Sequence, residues 1–159
     1  MEFKEIRGDL FSLPKEYMLA HCISSDFALG AGIAKTFRDR YGIKETLKLA
    51  HGKDGSGEPH GAYSWHDKGY CLFVSSEACP WTVANLVTKG RYFQKPTYGT
   101  LKEALHDFKA GLLNCYPNVK KVGMPLIGCG LDRLEWENVR EIIKNQFADT
   151  DIEITVCRL

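Results

Sequence analysis

Two glycine-rich stretches, one carboxylate and one lysine carry the chemistry legible in this chain. In residues 124–134, MPLIGCGLDRL, Gly128 and Gly130 flank Cys129 between a short apolar run and a helical pattern starting near Glu135. Glycine backbone takes positive φ and lets a ligand approach closely. Free N–H groups at a helix start, with the positive end of its dipole, make such a turn an anion cradle, most often for phosphate. Asp132 puts a carboxylate at the lip of that cradle. The same residues also fit a plain strand-to-helix connection, with Asp132 and Glu135 as a capping box of about 1 kcal/mol. A second loop, Leu29-Gly30-Ala31-Gly32-Ile33-Ala34, follows a buried run ending in His21-Cys22-Ile23-Ser24. A diphosphate needs N–H donors from more than one side, so two such loops point to a phosphate-bearing ligand. Lys89 ends the apolar run Leu86-Val87-Thr88-Lys89, where α/β folds place ligand contacts; a solvated surface charge fits that position as well. Asp9 reads as a turn aspartate, and His21 as a hydrogen-bonded core histidine.

These residues need elements to hold them. Residues 2–7, 17–23, 83–88, 119–124 and 152–157 read as strands, and residues 62–66 with 70–74 as a hairpin around Asp67-Lys68-Gly69. The near-continuous apolar run at 17–23 is the mark of a buried parallel strand. Helical register runs through Lys35, Phe37, Tyr41 and Leu47. It returns after Pro96-Thr97-Tyr98 with Leu101, Leu105, Phe108 and Leu112, and again from 135 to 147 with Trp136, Val139, Ile143 and Phe147. Residues 52–61, with four glycines and a proline, form a loop, and Pro80 marks a turn or an edge. The order is β-β-α-α, a β-rich middle, then α-β-α-β. It calls for a mixed or mostly parallel sheet covered on both faces.

Composition narrows the function class. At 159 residues and 44% hydrophobic, the chain suits one compact domain spanning 1–159. A formal net charge of +1 gives no strong field for nucleic acid or a membrane surface. No apolar run approaches the ~20 residues of a membrane span, and the charged start MEFKEIRGDL shows no secretory signal. The six cysteines form no CxxC pair, which favours reduced thiols over a disulfide framework or a zinc site. The expectation is a soluble cytoplasmic protein (or a nuclear one in a eukaryote) with no bound metal.

Several separated segments match one pattern together. They are Gly8-Asp9-Leu10-Phe11, Ala20-His21-Cys22-Ile23-Ser24, Gly30 to Ala34, Thr88-Lys89, Lys95-Pro96-Thr97-Tyr98, Pro125 with Ile127 to Leu134, and Trp136-Glu137-Asn138-Val139. The chain resembles a macrodomain, an ADP-ribose-binding fold, and more narrowly the terminal ADP-ribose protein glycohydrolase branch. The resemblance implies a three-layer α/β/α fold with a mixed, mostly parallel central sheet. It implies that Asp9 and the Leu10 backbone meet the adenine. Gly30, Ala31, Gly32, Ile33 and Ala34 would enclose the diphosphate with Gly128, Cys129, Gly130 and Leu131, and Pro125 and Ile127 belong to the same ligand wall. Ser24 and Thr88 would line the distal ribose. Lys89 would be the nucleophile and Asp132 the general acid/base.

The implied reaction releases ADP-ribose from ADP-ribosylated glutamate or aspartate esters through a covalent lysine intermediate. O-acyl-ADP-ribose, an ester of the same sugar, is a second candidate substrate. Alternatives are hydrolysis of ADP-ribosylated nucleobases in DNA and a reader that binds ADP-ribose without chemistry. No cofactor is implied. The expected partners are ADP-ribose and ADP-ribosylated macromolecules, protein before nucleic acid, met by a monomer away from membranes. Residues 71–85, with Cys79-Pro80-Trp81, look longer than the branch pattern, which leaves a reshaped entrance near Lys89 open.

Overall fold

The computed structural model describes residues 1–51 and 65–159. Six strands form one sheet: β1 (Glu2–Arg7), β2 (Met18–Ser24), β3 (Tyr70–Val74), β4 (Val83–Lys89), β5 (Lys121–Met124) and β6 (Glu153–Arg158). Their order is β1-β6-β5-β2-β4-β3. Every neighbouring pair is parallel except β3 with β4, so the sheet is mixed and mostly parallel, as expected. β2 and β4 lie inside the sheet and are buried along nearly their whole length. That burial on both faces is why they read as unbroken apolar runs.

Four helices are described: α1 (Gly32–Tyr41), α2 (Ile43–His51), α3 (Tyr98–Cys115) and α4 (Trp136–Phe147). Gly42 divides the first helical stretch because it sits at φ 64° and closes α1, donating to the carbonyls of Phe37 and Arg38. The predicted stripes of α3 and α4 pack against Ala20, Leu86, Val122 and Val156. Phe37, Ile43 and Leu47 of α1 and α2 pack against Leu19, Ile23, Val83 and Val87. Neighbouring strand residues thus feed opposite cores, and the molecule has three layers.

Three features differ from the expectation or limit it. The loop at 52–61 and residues 62–64 of the proposed hairpin lie outside the described residues. Trp65 and His66 are not in a strand, and the antiparallel partner of β3 is β4. Residues 71–85 hold most of β3, a turn and the start of β4, and Trp81 is buried on the α1 side. Its ring meets Tyr41 edge-on at 5.4 Å and its Nε1 donates to the Leu13 carbonyl at 3.1 Å.

Parallel pairing has one consequence for function. β2, β4, β5 and β6 end at the same edge of the sheet, the edge where open α/β folds bind ligands.

Candidate active site

A cleft of about 760 Å³ opens at that edge. Both glycine loops border it, together with Ser24, Lys89, Pro125, Ile127 and Asp132. The first loop turns outward because Phe27 (φ 54°) and Leu29 (φ 45°) take left-handed backbone while their side chains are buried in the core. Ala31 then begins α1 in extended conformation with no side-chain cap. The first N–H groups of that helix therefore have no side-chain acceptor at the cap.

In the second loop Gly128 sits at φ 73°, and a Cβ there would come within 3.0 Å of Leu134 Cδ1. Leu134 N donates to the Gly128 carbonyl at 2.8 Å and Arg133 N to that of Gly130 at 3.2 Å. This turn, with Arg133 at φ 63°, holds Asp132 over the cleft. The capping-box reading of Asp132 is corrected here. Glu135 itself is the cap residue of α4 and neither side chain caps it, because the carboxylate of Asp132 points to Lys89 instead. The capping box that does form is Thr97 with Thr100, at α3.

Lys89 Nζ donates to Asp132 Oδ1 at 2.6 Å, with the two side chains 14% and 16% exposed. The lysine backbone is pinned from the neighbouring strand: Ser25 N donates to the Lys89 carbonyl at 2.9 Å and Ser25 Oγ to the Gly90 carbonyl at 2.8 Å. A mostly buried lysine–carboxylate pair thus faces a cleft bordered by both glycine loops. That arrangement can bind a phosphate-bearing sugar and move a proton between the two side chains.

The remaining predicted residues divide. Ser24 lines the cleft, its Oγ donating to Asp26 Oδ1 at 2.5 Å. Thr88 is buried away from the cleft, since adjacent strand residues point to opposite faces, and its Oγ1 has no hydrogen-bond partner among the described residues. Leu10 is a core residue. Asp9 accepts from Phe11 N at 2.9 Å and caps the single 3-10 turn Leu10–Ser12. Asp9 does not border the cleft, yet its charge reaches it: burial first, and then Asp9, pushes up the thiol of Cys157, a lining residue.

Two cysteines at the site are poor nucleophiles. Burial, with the charge of Asp132 next, pushes the Cys22 thiol up to about 12, and burial pushes Cys129 up to about 11. Both stay protonated and inert at neutral pH. His21 is the core histidine foreseen, with Nε2 2.6 Å from Asn85 Oδ1 and burial lowering it to about 4.

Lys95, of a segment quoted above but given no role, meets here with three residues that sequence reasoning passed over. Lys95 Nζ donates to the Leu131 carbonyl at 2.6 Å, and Tyr92 and Phe93 stand at the mouth. Asp26 accepts from Ser24, Ala28 N and Tyr92 N. The adjacent aromatic pair just past Lys89 was the signal available for Tyr92 and Phe93; Asp26 had none.

No family model matches the chain. The human ADP-ribose glycohydrolase OARD1 is 41% identical over 155 residues, which cover 97% of this chain and 90% of the human protein. This chain belongs to the macrodomain family, in its terminal ADP-ribose glycohydrolase branch. The Bos taurus ADP-ribose glycohydrolase OARD1 matches this macrodomain to the same extent, at 41% over 155 residues. Its fold is also that of the macrodomain of Mycobacterium tuberculosis DarG, with a TM-score of 0.77 at 19% identity over 99% of this chain and 97% of that one. Thermosipho africanus DarTG, solved in complex with ADP-ribose, aligns with a TM-score of 0.68 at 16% identity, over 99% of this macrodomain and 41% of that chain.

Proposed function

We propose that this macrodomain hydrolyses the ester linking ADP-ribose to acidic side chains, with Lys89 as nucleophile and Asp132 as its proton acceptor. The observation that carries the reading is the 2.6 Å contact between those two side chains inside the cleft. The glycine loops bind the diphosphate, Ser24 meets the distal ribose, and the adenine end reaches beyond the cleft toward Asp9 and the Leu10 backbone. Thr88 has no side-chain contact with the sugar in this reading.

The lysine attacks as a neutral amine. Asp132, in direct hydrogen-bond contact, takes the ammonium proton as the substrate settles. The Lys89 nitrogen bonds to the anomeric carbon of the distal ribose, and the bond from that carbon to the carboxylate oxygen breaks. The acidic side chain leaves with the electron pair. The lysine–sugar adduct then opens to an imine, and water adds to the same carbon. Collapse of that intermediate breaks the C–N bond, releases ADP-ribose and returns the amine. Asp132 supplies and removes protons in this second half.

The test is release of ADP-ribose from a glutamate-modified protein by wild type and Lys89→Ala, with ADP-ribose affinity measured by calorimetry. Loss of turnover with affinity retained is the expected result; near wild-type turnover in the variant overturns it. Modified DNA run in parallel asks whether nucleobases are substrates as well. The small net charge of +1 favours the protein substrate, since affinity for nucleic acid rests largely on cations neutralising phosphates.

A further inference from the structure

Just past Lys89 the chain exposes two neighbouring aromatic rings. Tyr92 is 66% and Phe93 68% exposed, and Leu131 beside Asp132 is 69% exposed. All three border the cleft that holds the lysine–carboxylate pair. Large apolar side chains this open to water, grouped at the mouth of a site, mark a surface awaiting a partner.

The surface is built rather than loose. Tyr92 N donates to Asp26 Oδ2 at 3.0 Å, and the other oxygen of that carboxylate holds Ser24 Oγ and Ala28 N. Arg91 N donates to Gln94 Oε1 at 2.8 Å, and Gln94 N to the Arg91 carbonyl at 3.0 Å, closing the turn. The two rings meet edge-on at 5.4 Å. The lysine marks the bond to be broken, so the group leaving the sugar emerges beside residues 90–95.

We infer that Tyr92, Phe93 and Leu131 form a lip that grips the polypeptide flanking a modified acidic residue, with Arg91 and Lys95 facing its acidic neighbours. The inference rests on the function proposed above. Rigid aromatic rings supply contact area at little entropic cost, and exposed cations beside them match an acidic sequence. The lip is continuous with the cleft, so one polypeptide segment can reach both. A single-stranded nucleic acid would also stack on the rings, but it needs a groove of cations along its backbone. Arg91 and Lys95, the cations of residues 90–95, are too few to form such a groove.

The test compares wild type with the double variant Tyr92→Ala/Phe93→Ala on a glutamate-modified protein, on O-acetyl-ADP-ribose and on a modified single-stranded oligonucleotide. For the protein KM should rise about tenfold, as for the loss of paired aromatic anchors, while the small ester and free ADP-ribose change less than about twofold. Equal loss on the small ester would assign the rings to the ADP-ribose cleft and overturn the inference. So would an unchanged KM for the protein, or a loss confined to the oligonucleotide. The same pair of substitutions made in Lys89→Ala separates the two readings. There the lip change should weaken binding of modified protein and spare free ADP-ribose, whether or not the lysine is the nucleophile.

Discussion

Two carboxylates of this molecule are each paired with a cation, to opposite ends. Glu5, on the edge strand β1, accepts from Trp136 Nε1 at 2.7 Å, from Arg140 Nε at 2.8 Å and from Arg158 at 3.2 Å. Burial pushes this carboxyl up, but the hydrogen bonds from Arg140 and Trp136 and the charges of Arg140 and Arg158 outweigh it. It is held below its ordinary value of 4.5. The group ties β1, α4 and β6 together and has its acceptor sites filled. Asp132 accepts from Lys89 at 2.6 Å, and among the described residues that is its hydrogen-bond partner. A saturated network fixes shape. A single short pair, with lone pairs to spare and a cleft in front of it, can exchange a proton with something that enters.

The comparison breaks first at the lysine. Lys89→Ala should lower turnover at least about 10³-fold while melting within a few degrees of wild type, checked by ADP-ribose release and calorimetry. Asp132→Ala should slow turnover about 10²-fold, and intact-protein mass spectra should show the lysine–sugar adduct accumulating. Because Asp132 caps no helix, its loss should leave the melting temperature close to wild type.

Glu5→Gln is the converse case. Activity should remain near wild type, and stability at neutral pH should fall by about 1–2 kcal/mol, read as a lower midpoint in urea. Folding lowers the proton affinity of Glu5, so its contribution is present above pH 4.5 and disappears as pH falls through the folded value. The gap between variant and wild type should therefore close on acidification.

The last effect shows only on acidification and belongs to His21, lowered by burial from 6.5 to about 4. Between those values the unfolded chain binds more protons than the folded one, so stability declines from pH 6.5 toward pH 4. His21→Gln should flatten that part of the curve, as measured by urea unfolding at several pH values.

Much of the scaffold was readable because its signals are local. The stripe Leu101, Leu105, Phe108 and Leu112 names its own buried face, and the unbroken apolar run of β2 names its place at the centre of the sheet. The two glycine loops were readable for the same reason, since positive φ at Gly32 and Gly128 is a property of single residues. Other features were out of reach. Thr88 and Lys89 are adjacent in sequence, and only the pleat of β4 decided which of them faces the cleft. Asp26 looks like any loop aspartate until Tyr92, 66 positions away, folds against it.

By itself, the amino-acid sequence determined most of the segments that become strands and helices, and that two backbone turns can cradle phosphate. Periodicity and glycine geometry act over a few residues and need no partner. Whether Asp132 would cap a helix or face a lysine was left open, because both uses fit the same local spacing. The parallel pairing of β2 with β4 and β5 decided it by bringing positions 43 apart to one edge of the sheet. There a charged pair is partly shielded from water and open to a ligand, and no property of either residue alone could state that.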